Sequence, residues 1–127
     1  MLISNIRPYF QKIWRASSDG GCSTDVLAFR AYDPASASCL YFTLRRPKFF
    51  DYMMKGAKGT KMPRGDKKQM MEYLVPDSVD LETAKALDSI VAQMAYNDME
   101  STSLTDLRDT LLSKLMFGEI DVSKVTI

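Results

Sequence analysis

Residues 24–46 read Thr-Asp-Val-Leu-Ala-Phe-Arg-Ala-Tyr-Asp-Pro-Ala-Ser-Ala-Ser-Cys-Leu-Tyr-Phe-Thr-Leu-Arg-Arg. On either side of Asp33–Ser38, aliphatic and aromatic residues alternate with small, polar or cationic ones. Alternation with a period of two is the signature of a half-buried strand. The pattern predicts strands over 24–32 and 39–46, with Asp33-Pro34 ending the first ladder and Pro47 the second. If Tyr32 lies opposite Cys39, Arg30 faces Tyr41 and Ala28 faces Thr43. Leu27, Phe29, Leu40, Phe42 and Leu44 then make a core face. Ala28, Arg30, Tyr41, Thr43 and Arg45 make the opposite face, which is polar, aromatic and cationic.

Working outward, residues 9–15 alternate less cleanly and predict another strand. Asp19-Gly20 supplies the backbone of a tight hairpin turn after it. Residues 48–66 form a long segment whose Gly-, Lys- and Pro-rich tip, 55–66, is expected to be mobile; loops of that length are often functional. A further strand is expected over 67–75, stopped by Pro76. The period then changes to helical. Ser78 is the expected N-cap of a helix over about 79–96, with Asp80 and Glu82 in its first turn. Ser103-Leu104-Thr105-Asp106 starts a second helix over about 104–117, with its apolar stripe on Leu104, Leu107, Leu111, Leu112 and Leu115 and its stop at Gly118. The fold class is therefore α+β in one domain over residues 1–127: an N-terminal hairpin and antiparallel sheet, then two helices.

The whole chain of 127 residues carries 17 basic and 16 acidic groups, a net charge of +1. That total hides a split. Residues 45–68 hold nine bases against Asp51 and Asp66, net +7, and residues 69–127 are net −7. Such asymmetry points to a polyanion surface. There is no histidine, which excludes Ser-His and Cys-His nucleophile pairs and histidine metal sites. Cys22 and Cys39 are too few for a structural zinc site, and leave open one disulfide or two thiols in a reduced cytoplasm. No apolar run approaches the length of a membrane span, and Asn5, Arg7 and Pro8 interrupt any signal-peptide core. The chain is expected to be soluble and cytoplasmic, with no cofactor, no metal, no membrane and no small-molecule substrate. Lys55-Gly56-Ala57-Lys58-Gly59-Thr60-Lys61 lacks the phosphate-loop spacing. The carboxylates gather on the helices as solvated faces, so an enzyme is not expected. Of the methionines, Met53, Met54, Met70, Met71, Met94 and Met116 suit either core gap-filling or an adaptable surface.

The candidate binding residues are Arg30, Tyr41, Thr43 and Arg45 on the outer sheet face, joined by Lys68. Arginine pairs with phosphate and stacks on bases, an exposed tyrosine is a platform for an unpaired base, and threonine offers a hydroxyl to base or sugar. The same residue types are also ordinary good strand formers. A face of this kind fits a small cytoplasmic RNA- or DNA-binding regulator.

From about Thr24 to Met116 the chain also resembles the coat proteins of single-stranded RNA bacteriophages. The resemblance lies in the strand–loop–strand of Val26–Tyr32, Asp33–Ser38 and Cys39–Arg46, in Arg46-Pro47-Lys48 at the end of the second strand, and in Met71-Glu72-Tyr73-Leu74-Val75-Pro76 running into the first helix. It implies an intertwined dimer whose helices cover the partner's sheet, with residues 48–66 as a loop that switches around capsid axes. It also implies an icosahedral shell assembled in a bacterial cytoplasm, packaging single-stranded RNA and repressing translation through an RNA hairpin. Tyr41 and Thr43 then occupy RNA-contacting strand positions, with Arg30, Arg45 and Lys68 beside them. Residues 1–22 fall outside the match.

Overall fold

The computed structural model describes residues 1–76 and 78–120. It is α+β: a small three-stranded antiparallel sheet, several helices, and a long C-terminal helix. The chain divides into two units, residues 1–89 and the residues from Ile90 onward.

The sheet is built differently from the expected one. Its strands are β1 (Leu2–Ser4), β2 (Ile13–Trp14) and β3 (Val26–Ala28), in the order β2-β1-β3. The central strand is thus the N-terminal one. Ile3 pairs with Ile13 on one side and Leu27 on the other, and is fully buried. β2 and β3 do not pair with each other, so Asp19-Gly20 does not close a hairpin between neighbours. Before β2, Pro8–Phe10 forms a 3-10 turn bracketed by Arg7 (φ 50) and Gln11 (φ 52). These residues hold the left-handed conformation that side chains other than glycine seldom adopt.

Residues expected as the second strand are helical. α1 spans Ala37–Leu44. Asp33 supplies the reason: its carboxylate accepts hydrogen bonds from the Ala35 amide (3.1 Å) and the Ser36 hydroxyl (3.2 Å). Pro34 sits at the first position of the 3-10 turn that leads into α1. An acceptor before a proline is a helix start as well as a loop signal, and here it overrides the strand preference of Tyr41, Phe42 and Thr43. Pro47 likewise opens α2 (Pro47–Lys55), with Arg46 held extended before it. Residues 48–55, expected as loop, are therefore helical. Residues 67–75, expected as strand, begin with α3 (Lys67–Met71). Asp66 caps it, accepting from the amides of Lys68 (2.9 Å) and Gln69 (3.4 Å). Only Tyr73–Pro76 continue without helix.

The two expected C-terminal helices are one, α4, spanning Leu81–Met116. Nothing around Asn97 breaks it: the stretch has no proline or glycine, and Gln93 donates to the Asn97 side chain at 2.8 Å across one turn. Thr102, Thr105, Thr110 and Ser113 each donate to the carbonyl four residues earlier, so their hydroxyls are satisfied within the helix. The N-terminal cap is Asp80, not Ser78; its carboxylate accepts from the Thr83 amide at 2.8 Å. Gly118 ends the helix as expected, at φ 72.

In the unit of residues 1–89, the core is Ile3, Leu44, Phe49, Phe50, Met53 and Met70, with Met1, Ile13, Leu27, Phe29, Leu40 and Tyr73 packed around it. Phe49 meets Phe50 edge-on at 5.5 Å and Tyr73 at 5.0 Å. The face expected to be core from the strand pattern does supply Leu27, Phe29, Leu40 and Leu44, although α1 presents the last two. Met53 and Met70 fill the core, while Met71 and Met116 are exposed. Ser38, buried on α1, donates a hydrogen bond to the Asp88 carboxylate on α4. Cys22 and Cys39 are free thiols. In the unit from Ile90, no described residue is buried: Leu104, Leu107, Leu111 and Leu115 form an exposed stripe at helical spacing.

Candidate nucleic-acid interface

The nine bases of residues 45–68 are all exposed, and local structure explains where each stands. On α2 the apolar side, Phe49, Phe50 and Met53, turns into the core. Lys48 and Lys55 are thereby left on the solvent side. After Gly56 the chain doubles back: Lys58 and Arg64 exchange two backbone hydrogen bonds of 2.9 Å, closing a tight loop in which Gly59 takes φ 97 and Lys61 stands near the tip. The loop is anchored to the N-terminal segment, since the Arg7 amide donates to the Pro63 carbonyl (2.7 Å) and the Gly65 amide to the Asn5 carbonyl (3.2 Å). The tip expected to be mobile is thus tied at both ends. Lys67 and Lys68 occupy the first turn of α3, whose inward residue is Met70.

Among the described residues, Arg64 and Lys58 each meet a carboxylate. Arg64 grips Asp25 through Nε–Oδ1 at 2.9 Å and a second nitrogen to Oδ2 at 3.3 Å. The hydrogen bond from Arg64 holds the Asp25 carboxyl below its usual range, and the same bond raises Arg64 further. Lys58 lies 3.4 Å from Asp66. The Asp66 carboxyl is held low first by the Gln69 and Lys68 backbone amides, with Lys58 adding a smaller effect. These pairs are solvent-screened and set loop geometry more than stability.

The candidate residues do not share one face. Tyr41 is 4% exposed, so its ring is not available for stacking. Its hydroxyl accepts a hydrogen bond from Arg45 at 3.3 Å, and the Arg45 guanidinium lies 5.8 Å from its ring centre, the (i, i+4) contact of a helix. Thr43 is half-buried. Two residues apart on a strand, Tyr41 and Thr43 would point the same way; on a helix they diverge by roughly 200°. Arg30 is exposed beyond β3 and lines a groove whose α1 wall is Cys39, Leu40 and Leu44 and does not include Tyr41 or Arg45. Arg45 and Lys68 belong to the basic segment. The residues missed were Arg46, Lys48, Lys55, Lys58, Lys61, Arg64 and Lys67, and the +7 count in that segment was the signal that contained them.

Among the described residues, no cluster of three His, Cys, Asp or Glu side chains is placed to hold a metal ion, and no helix is long and apolar enough to cross a membrane. No family model, curated protein or solved structure matches this chain. The strands that carried the resemblance to phage coat proteins, 39–46 and 71–75, are helix and irregular chain in this fold.

Proposed function

We propose that this chain is a non-enzymatic, self-associating protein that binds single-stranded RNA through its basic segment, in the manner of a coat protein packaging a genome. The observation that carries the reading is the exposure of all nine bases of residues 45–68 within one small unit. A cluster that dense attracts phosphates and gains free energy by releasing their counterions. The bare leucine stripe of α4 supports self-association, because exposed apolar patches of that kind mark protein contacts. The partner is a second copy of the chain, and the full assembly is a virion shell formed in a bacterial cytoplasm. The reading rests on charge and on the stripe, not on a sheet platform.

A second reading is an RNA-binding regulator that stops at the dimer. It is favoured by the small size of the sheet, only three strands of two or three residues. Electron microscopy of the purified protein separates the two: uniform RNA-filled particles support the shell, and isolated dimers support the regulator.

Filter binding to a single-stranded RNA tests the part they share. If six phosphates are contacted, log affinity falls against log salt with a slope of about −4. Replacing Lys61, Lys67 and Lys68 together by Glu flattens the slope by about 2 on the same scale. Binding that ignores salt and these substitutions rejects both readings.

A further inference from the structure

The edge strand β2 and the 3-10 turn before it carry three exposed aromatic rings. Pro8 is buried, but the two residues after it are not: Tyr9 is 48% and Phe10 56% exposed. The turn fixes them, because the Phe10 amide donates to the Arg7 carbonyl (3.0 Å) and the Gln11 amide to the Pro8 carbonyl (2.9 Å). The two rings lie 4.7 Å apart, centre to centre.

Trp14, 41% exposed, continues this surface. Ile13 packs against the core from β2. Side chains alternate along a strand, so Lys12 and Trp14 stand together on the opposite, outer face. The Ser4 amide donates to the Lys12 carbonyl (3.0 Å), which extends the β1–β2 ladder to that residue. Lys12 joins the two ends of the surface, since its ammonium lies 5.7 Å from the centre of the Phe10 ring.

Charge and position argue for the occupant. Residues 7–15 hold Arg7, Lys12 and Arg15 and no carboxylate. Two such segments repel each other, whereas an anionic chain is drawn to them. The segment is also joined to the basic loop: the Arg7 amide donates to the Pro63 carbonyl (2.7 Å), and Ile6 bridges to Arg64. The 3-10 turn packs against α2. Every base has a flat π-face, so stacking on such rings needs no particular sequence.

We propose that Tyr9, Phe10 and Trp14 form a stacking ledge for the unpaired bases of a single-stranded RNA whose phosphates are held by the basic segment. This rests on the RNA-binding reading and adds to it. The basic segment recognises charge, and the ledge distinguishes unpaired bases from any other polyanion. Lys12 and Arg15 supply phosphate contacts beside the rings. Bases paired in a duplex keep their faces inside the stack, so a duplex gains nothing from the ledge.

Trp14 is the single tryptophan of the chain, so its emission reports on the ledge directly. The full-length chain is titrated with oligouridylate and with an abasic oligomer of the same length and charge. Oligouridylate is expected to quench Trp14 and to bind about tenfold more tightly than the abasic oligomer, the scale of one stacked base. The abasic oligomer leaves the emission unchanged. Phe10→Ala, at an exposed position, removes about that tenfold for oligouridylate and leaves abasic binding and the salt slope as they were. Phe10→Tyr restores it.

Equal affinity for the two oligomers, or oligouridylate binding untouched by Phe10→Ala, overturns the ledge and leaves the charge-based reading standing. Loss of self-association in Phe10→Ala at unchanged RNA affinity assigns the rings to a protein contact and overturns it as well. Failure of both oligomers to bind overturns the wider reading and the ledge with it.

Discussion

The two units handle apolar side chains in opposite ways. All seven buried hydrophobic residues among those described lie between Ile3 and Met70, and six of them, all but Tyr41, form one shared core. From Ile90 onward the leucines, Met116 and Phe117 are exposed. The first unit buries a core of its own, although Tyr32, Met71 and Leu74 stay exposed; the second buries no described residue. On the self-association proposal, the stability of the first unit is a property of one chain and that of the second depends on concentration.

The largest break in that contrast comes at Phe49, which is 0% exposed. Phe49→Ala is expected to cost about 3–5 kcal/mol. Chemical denaturation reads this as a lower midpoint with little dependence on protein concentration. Leu107→Ala with Leu111→Ala should do the reverse, leaving the concentration-independent part of the melt alone while abolishing the concentration-dependent part and the dimer seen by ultracentrifugation. If Phe49→Ala and the leucine pair act alike, the division into a self-sufficient unit and a dependent one is wrong.

A smaller effect is expected at Asp66. Asp66→Ala removes the acceptor for two amides at the start of α3 and the partner of Lys58. A modest fall in the melting midpoint should accompany faster hydrogen exchange at Lys68 and Gln69; Asp66→Asn should recover most of it, because an asparagine caps nearly as well.

The smallest effect is the response to acid. Asp25, Asp66 and Asp80 have carboxyl groups held below the ordinary carboxylate range in the folded chain, by hydrogen bonds from Arg64 to Asp25 and from backbone amides to the other two. A group with a depressed folded pKa stabilises fully above its unfolded pKa and loses that contribution as pH falls through the folded one. Stability should be flat near neutrality and decline below about pH 4. Asp25→Asn should blunt the decline in the first unit; an unaltered acid profile would argue that the Arg64 pair contributes nothing.

The sequence revealed the inventory of this molecule better than its geometry. Leu27, Phe29, Leu40 and Leu44 are legible as core because burial follows side-chain type in strand and helix alike. The +7 segment is legible because charge counting needs no geometry. The elements that carry most of the basic residues were not legible. Residues 39–46 hold aromatic and β-branched side chains that favour strands, while two carboxylate caps, Asp33 and Asp66, decide for helix over a few residues. Reading Asp33 as a loop residue favoured a period of 2 over 3.6 in residues 39–46, and so placed Tyr41, Thr43 and Arg45 on one surface. The short central strand at Leu2–Ser4 was hidden for another reason: three residues carry almost no periodicity.

The left-handed conformation of Arg7 has its own consequence. Non-glycine residues in that region carry roughly 1–2 kcal/mol of backbone strain. Arg7 is held there while its amide reaches the Pro63 carbonyl, so the joint between sheet and basic loop is a small loaded spring. A ligand that draws the loop away from the sheet breaks that hydrogen bond but frees Arg7 to relax. Opening is thus partly offset at the hinge itself, within the loop that the RNA-binding proposal would engage.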